Sequence, residues 1–108
     1  MKLLSRLEEI VLLSIWRLGE NAYGITIHEE VARATGKNWP LGAIYAPLDR
    51  LRRNGYVRTI VSRPTSERGG RRKVLYRLTP SGKEALADVR KVSAQIWEGV
   101  PAVEFEKP

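Results

Sequence analysis

The chain has no cysteine, one histidine, one methionine and 7% aromatic residues. Without thiols it forms neither disulfides nor thiolate metal sites. No apolar run approaches the roughly eighteen residues that a membrane span requires. The opening residues mix Glu8 and Glu9 among Leu3, Leu4 and Leu7, a pattern that argues against a signal peptide. A cytoplasmic protein is the resulting expectation. His28, the only histidine, lies beside Glu29 and Glu30. No Ser-His-Asp set, metal-ligand spacing or phosphate-cradling glycine loop accompanies it. The expectation is of a protein that is not an enzyme and holds no metal or cofactor.

What is present is positive charge in one place. The 108 residues, 43% of them hydrophobic, suffice for one domain with a modest core. The net charge is +7. Between Arg50 and Arg77 there are ten Lys or Arg and one acid, Glu67, while the rest of the chain holds nine basic and eleven acidic residues. A cationic surface of that kind suits a polyanion, DNA above all.

Local signals divide the chain into four helices and a hairpin. Ser5 and Glu8 form a capping box for a first helix running to Leu18. Leu7, Ile10, Val11, Ser14, Ile15 and Leu18 share one face, and Leu4, Leu12, Leu13 and Trp16 add apolar surface around the cylinder. A helix apolar on most sides has a second partner: another chain, or a neighbouring helix of the same one. Thr26 and Glu29 read as a second box, opening a helix to Thr35 that Gly36 closes. The third helix starts near Leu41 after Pro40, with Ile44, Leu48 and Leu51 inward and Pro47 costing one hydrogen bond. The second and third helices and their short link have the dimensions of a helix-turn-helix. Gly42, Ala43, Tyr45, Ala46 and Asp49 face outward, followed by Arg50, Arg52 and Arg53. Those arginines are either phosphate ligands or a solvated helix face favourable near its C-terminus.

Tyr56 to Arg63 and Lys73 to Thr79 alternate as strands, with Val57, Val61, Leu75 and Leu78 as candidates for packing against the helices. Gly69 and Gly70 form the hairpin tip, surrounded by Arg68, Arg71, Arg72 and Lys73. Thr79 caps a last helix with Pro80 at its first position, running to about Glu98. Gly82, Leu86, Val89, Ser93, Ile96 and Val100 form a narrow seam on it, flanked by Trp97. The seam meets the same helix of a second chain, or folds back on its own domain. The fold class expected is α+β, mainly α: a winged helix-turn-helix over residues 1–78, a dimerisation helix over 79–98 and a poorly ordered tail over 99–108. Leu4, Leu12, Trp16, Leu86, Val89, Ser93, Ile96, Trp97 and Val100 are the candidate dimer interface.

Several segments resemble the PadR family of bacterial transcriptional regulators. Leu41 to Leu51, leading into Asn54-Gly55-Tyr56-Val57, is similar to the family's Gly-x-x-Tyr-Pro-x-Leu-x-x-Leu-like run, with Ala46 as one extra residue between Tyr45 and Pro47. Gly69 to Gly82 is similar to its basic wing and Tyr-x-Leu-Thr-x-x-Gly stretch, and Ala22-Tyr23-Gly24-Ile25 to its loop before the second helix. The resemblance covers residues 5–98. It implies a homodimeric repressor that reads a palindromic operator through two recognition helices and two wings. The candidate DNA-binding residues are Tyr23, Asn38, Leu41, Gly42, Ala43, Tyr45, Arg50, Arg53, Arg68, Gly69, Gly70, Arg71, Arg72 and Lys73. Some small members stack flat aromatic compounds against tryptophans of the last helix. That implies a small-molecule effector, with Trp97, Ser93, Trp16 and Leu12 as its candidate residues, although the family tryptophan lies a turn earlier, near Ser93. Of a different class is a winged-helix interaction module whose basic hairpin docks an acidic protein partner.

Overall fold

Ser5 sets where the first helix begins. Its hydroxyl accepts the Glu8 N–H at 3.2 Å, and the Glu8 carboxylate accepts the Ser5 N–H at 2.8 Å. Two donors that a helix start leaves free are thereby satisfied. In the computed structural model, which describes residues 3–62 and 72–101, this helix is α1, Arg6–Leu18. A short turn, Gly19–Asn21, leads to α2 (Gly24–Thr35), α3 (Leu41–Arg53), β1 (Val57–Val61), β2 (Val74–Leu78) and α4 (Pro80–Trp97). The architecture is α+β and mainly α, a winged helix-turn-helix with a long last helix. Among the described residues no helix is long and apolar enough to cross a membrane.

α1 is the post around which the rest is built. α2, α3, β2 and α4 all pack against it. Val11, Leu12 and Ile15 of α1 meet Ile27 and Val31 of α2 and Ile44, Leu48 and Leu51 of α3 in one core. Pro47 is buried as well, and α3 continues through it. β1 and β2 are antiparallel, with Val57 opposite Leu78 and Val61 opposite Val74. The chain before α2 joins this wing: Tyr23 bridges to Leu75, and the Ala22 carbonyl accepts the Tyr76 N–H at 2.8 Å. At the other end Thr79 fastens the wing to α4. Its hydroxyl donates to the Gly55 carbonyl at 2.6 Å and accepts the Gly82 N–H at 3.1 Å. A Cβ on Gly82 would overlap the Tyr56 carbonyl, so this close joint requires glycine.

The structure corrects four expectations. α2 starts at Gly24, and Thr26 is its third residue rather than its cap. The Thr26 hydroxyl accepts the Tyr23 N–H at 3.0 Å and donates to the Asn21 carbonyl at 2.6 Å, so it caps from inside the helix. Leu12 is fully buried in the chain's own core and offers nothing to a second chain or an effector. Leu86 is only 6% exposed because the first turns of α4 fold back on the domain. Val61 is exposed, since it pairs with Val74 at the outer end of the wing, beyond the helices. The second half of α4 differs from its first. Ile96 is 72% exposed and Trp97 63%. The proposed hairpin tip and the tail beyond residue 101 lie outside the described residues.

Candidate nucleic-acid interface

Trp39 holds the turn between α2 and α3. Its indole N–H donates to the Thr35 hydroxyl at 2.8 Å, and its carbonyl lies 2.5 Å from His28 Nε2. His28 is thus a positioning side chain, tying α2 to the entrance of α3. Lys37 lies over the Trp39 ring at 5.5 Å, while Asn38 stays exposed in the turn. From there α3 presents Leu41, Gly42, Tyr45, Ala46 and Asp49 to solvent, with Ala43 half-buried.

The outward face of α3 and the base of the wing enclose a cleft of about 390 Å³. Tyr23, Gly24 and Ile25 line it from α2, Tyr45 from α3, and Arg72, Lys73, Val74 and Tyr76 from the wing. Lys73 Nζ sits 4.4 Å from the centre of the Tyr23 ring, a cation–π contact between two residues that line the cleft. The Tyr45 phenol oxygen lies where a Cβ on Gly24 would be, so Gly24 lets α3 dock against the start of α2. Burial, and then the nearby Tyr45, push the Tyr76 hydroxyl above its ordinary pKa. Tyr23, Tyr45, Arg72 and Lys73, four of the candidate DNA-binding residues, line this one cleft. Gly24, Ile25 and Tyr76 complete the cleft without having been foreseen; the Tyr-Gly-Ile loop and the alternation of β2 carried their signal.

The arginines of α3 are differently placed. Arg52 and Arg53 lie 2.9 and 3.0 Å from the Asp49 carboxylate. The Arg52 guanidinium, then Arg53, hold that carboxyl below the usual carboxylate range. Arg50 turns toward α1, 3.6 Å from Glu8. Exposed pairs of this kind are weak, and their arginines can exchange a carboxylate for a phosphate at little cost. Arg53 therefore remains on the outward face as a candidate phosphate ligand, and Arg50 is turned toward α1, joining α3 to it through an exposed pair of the same kind. Arg68, Gly69, Gly70 and Arg71 lie outside the described residues.

The sequence pattern of the family described as "Transcriptional regulator PadR-like family" matches residues 11–88. The chain belongs to the PadR-like family. No curated protein sequence is significantly similar to it. Among solved structures, a PadR-like transcriptional regulator from Bacillus cereus is 21% identical, with a TM-score of 0.69 over 90% of this chain and 93% of that one. A PadR family regulator from Clostridium difficile is 20% identical, with a TM-score of 0.64 over 86% and 88%. BpsR of Bordetella bronchiseptica, whose DNA binding is regulated by 6-hydroxynicotinic acid, is 20% identical, with a TM-score of 0.61 over 90% and 67%. At these identities the likeness is one of fold. Membership of the PadR-like family makes this chain a transcriptional regulator of the DNA-binding kind.

The remaining candidates of this PadR-like chain are dispersed within one protomer. Trp16, half exposed, lines a cleft of about 400 Å³ with Glu9, Leu13, Lys83, Leu86, Ala87 and Arg90, and Lys83 Nζ lies 5.4 Å from its ring centre. Leu4, Val89 and Ser93 line a smaller hollow of about 150 Å³ with Leu3 and Val92. Ile96, Trp97 and Val100 project from the far end of α4. Trp16 and Trp97 are thus separate surfaces in a single chain, and the open arc of α1 runs through Leu13, which is 42% exposed, rather than Leu12.

Proposed function

We propose that the protein is a homodimeric, sequence-specific repressor that binds a palindromic operator. The front of α3, from Leu41 to Tyr45, enters the major groove. Lys73, Arg72 and Arg53 meet the flanking phosphates. The observation that carries this reading is the convergence of Tyr23, Tyr45 and Lys73 on one cleft between the third helix and the wing. Dimerisation is supported by the bare end of α4 and the open apolar arc of α1. Two heads related by a twofold axis would meet half-sites about 34–36 Å apart. Repression follows from a small dimer covering its own operator.

An aromatic effector is a finer part of the same reading. The cleft beside Trp16 has the size of a small-ligand site, and a chain of similar fold responds to 6-hydroxynicotinic acid. Selection from random duplexes with the purified chain tests the proposal, with affinity then measured at several salt concentrations. Recovery of a palindrome and a log–log salt slope steeper than about −4 are expected, since each neutralised phosphate contributes roughly −0.9. An asymmetric site, or a flat salt response, would refute it.

A further inference from the structure

The outward face of α3 is chemically poor in one respect. Leu41, Gly42, Tyr45 and Ala46, the exposed residues of its first two turns, include no amide, guanidinium or ammonium. Guanine is read in the major groove by Arg or Lys, and adenine by Asn or Gln. Neither pair is available here. Tyr45 carries the only hydroxyl on this surface, and it is turned back against Gly24 at the start of α2. Asp49, which could accept from cytosine, stands two turns beyond Leu41, with Arg52 and Arg53 beside it. Asn38 stands two residues ahead of Pro40, in the turn rather than on the helix. What the front of α3 does offer is hydrocarbon. Leu41 is 53% exposed and lies one turn from the Tyr45 ring, and the small Gly42 and Ala46 let the backbone approach.

The major-groove feature that hydrocarbon recognises is the 5-methyl group of thymine. We propose that this chain reads its operator chiefly through thymine methyls, with Leu41 as the principal reading residue and the Tyr45 ring beside it. The proposal rests on the reading that α3 enters the major groove. Cations lie at the Tyr45 side of the patch, where Lys73 and Arg72 of the wing share its cleft, and at the end of the same helix, where Arg52 and Arg53 stand, so the occupant that fits is a duplex rather than an apolar protein surface. Among the described residues, the front of α3 leaves the hydrogen-bonding edges of the bases it covers largely unread. Discrimination among half-sites should therefore be modest per base pair and should follow methyl position more than base identity.

Uracil pairs as thymine does but lacks the methyl. In the selected duplex, each half-site thymine is replaced in turn by uracil, and binding of the full chain is measured by anisotropy. At one or more positions a loss of roughly fourfold per methyl is expected, from the transfer free energy of one buried methyl group. At that same position 5-methylcytosine, which restores the methyl on a different hydrogen-bonding edge, should bind about fourfold better than cytosine. Leu41→Ala should narrow the difference between thymine and uracil duplexes from about fourfold to under about twofold, with the Tyr45 ring carrying the remainder. Leu41 is exposed, so the variant is expected to fold; Leu41→Gln serves as a second test and should shift the preference at that position toward adenine. Uracil replacement without effect at every position overturns this inference alone, and so does discrimination that is undiminished in Leu41→Ala. Failure to bind any duplex at low salt overturns both it and the parent reading.

Discussion

Two surfaces of this protein expose large apolar side chains, and the charges around them differ. On the front of α3, Leu41 and Tyr45 are exposed; Tyr45 shares a cleft with Arg72 and Lys73, and Arg52 and Arg53, paired with Asp49, close the helix. Along the open arc of α1, Leu13 and Trp16 are exposed, and the neighbouring charges are of both signs: Glu9, Lys83 and Arg90; the end of α4 adds Ile96 and Trp97 as a separate exposed stretch of the same apolar character. Apolar area alone does not say what covers a surface. A rim of one sign selects a polyanion, while a mixed rim around aromatic and aliphatic side chains has the composition of a protein–protein contact. The first surface is the one assigned to DNA and the second to a second copy of the chain.

The sharpest way to break this comparison is to disable the second surface and read the first. Ile96→Asp combined with Trp97→Ala should yield a monomer by analytical ultracentrifugation. Operator affinity should fall by about a hundredfold or more, because linked half-site binding is abolished. Far-ultraviolet circular dichroism should be unchanged, since both side chains are largely exposed. A dimer that persists would assign pairing to another surface. Conversely, Arg72→Ala with Lys73→Ala should leave the dimer intact. It should weaken binding to all duplexes by roughly tenfold and make the log–log salt slope shallower by about 0.9 for each phosphate that is no longer neutralised. A change in sequence preference without a change in salt slope would place these residues on bases instead.

Much of this frame could be read from neighbouring residues, and the exceptions have a common cause. The Ser5–Glu8 box, the left-handed Gly36 that ends α2 and the Thr79-Pro80 start of α4 depend on side chains within four positions of one another, and all are found as expected. The pairing of Asp49 with Arg52 and Arg53 is also legible in its i, i+3 and i, i+4 spacing, although the density of positive charge there draws attention to phosphates and solvent first. Which of Leu12 and Leu13 is buried was not legible. That depends on how four elements surround α1, and one helical step of 100° exchanges the two. Gly24 is a similar case: its requirement comes from Tyr45, on the next helix. The candidate site was therefore visible as charge and composition. Its shape depended on packing between segments distant in the chain.

That dependence gives a prediction of intermediate size. Gly24→Ala places a methyl where the Tyr45 phenol sits; Tyr45 is 44% exposed and its ring can swing aside, so the loss of stability should lie at or below the low end of the usual cost of overpacking, about 1 kcal/mol, measured by urea titration. Tyr45→Ala in the same chain should recover part of the loss, because it removes the overlapping ring. Additive losses would mean that the two residues do not touch.

The smallest effect expected concerns Glu8, which joins the cap of α1 to Arg50 of α3, away from both surfaces. Burial raises its pKa, but the Ser5 amide and hydroxyl and the Arg50 guanidinium outweigh it and hold the carboxyl below its ordinary value of 4.5. A carboxyl whose folded pKa lies below its unfolded value binds fewer protons in the native state, so its stabilisation is fully present above the ordinary carboxylate range. It is lost as pH falls through the folded value. Glu8→Gln keeps an acceptor for the Ser5 N–H and removes only the charge. At neutral pH the variant should be less stable by under about 1 kcal/mol, because the Arg50 side chain is 47% exposed and solvent screens the pair. The gap between variant and parent should close as the pH is lowered below the carboxylate range, and operator affinity at neutral pH should not change. A gap that widens in acid would show that the folded pKa is raised, and would remove Arg50 from its bracing role and return it to the candidate phosphate ligands.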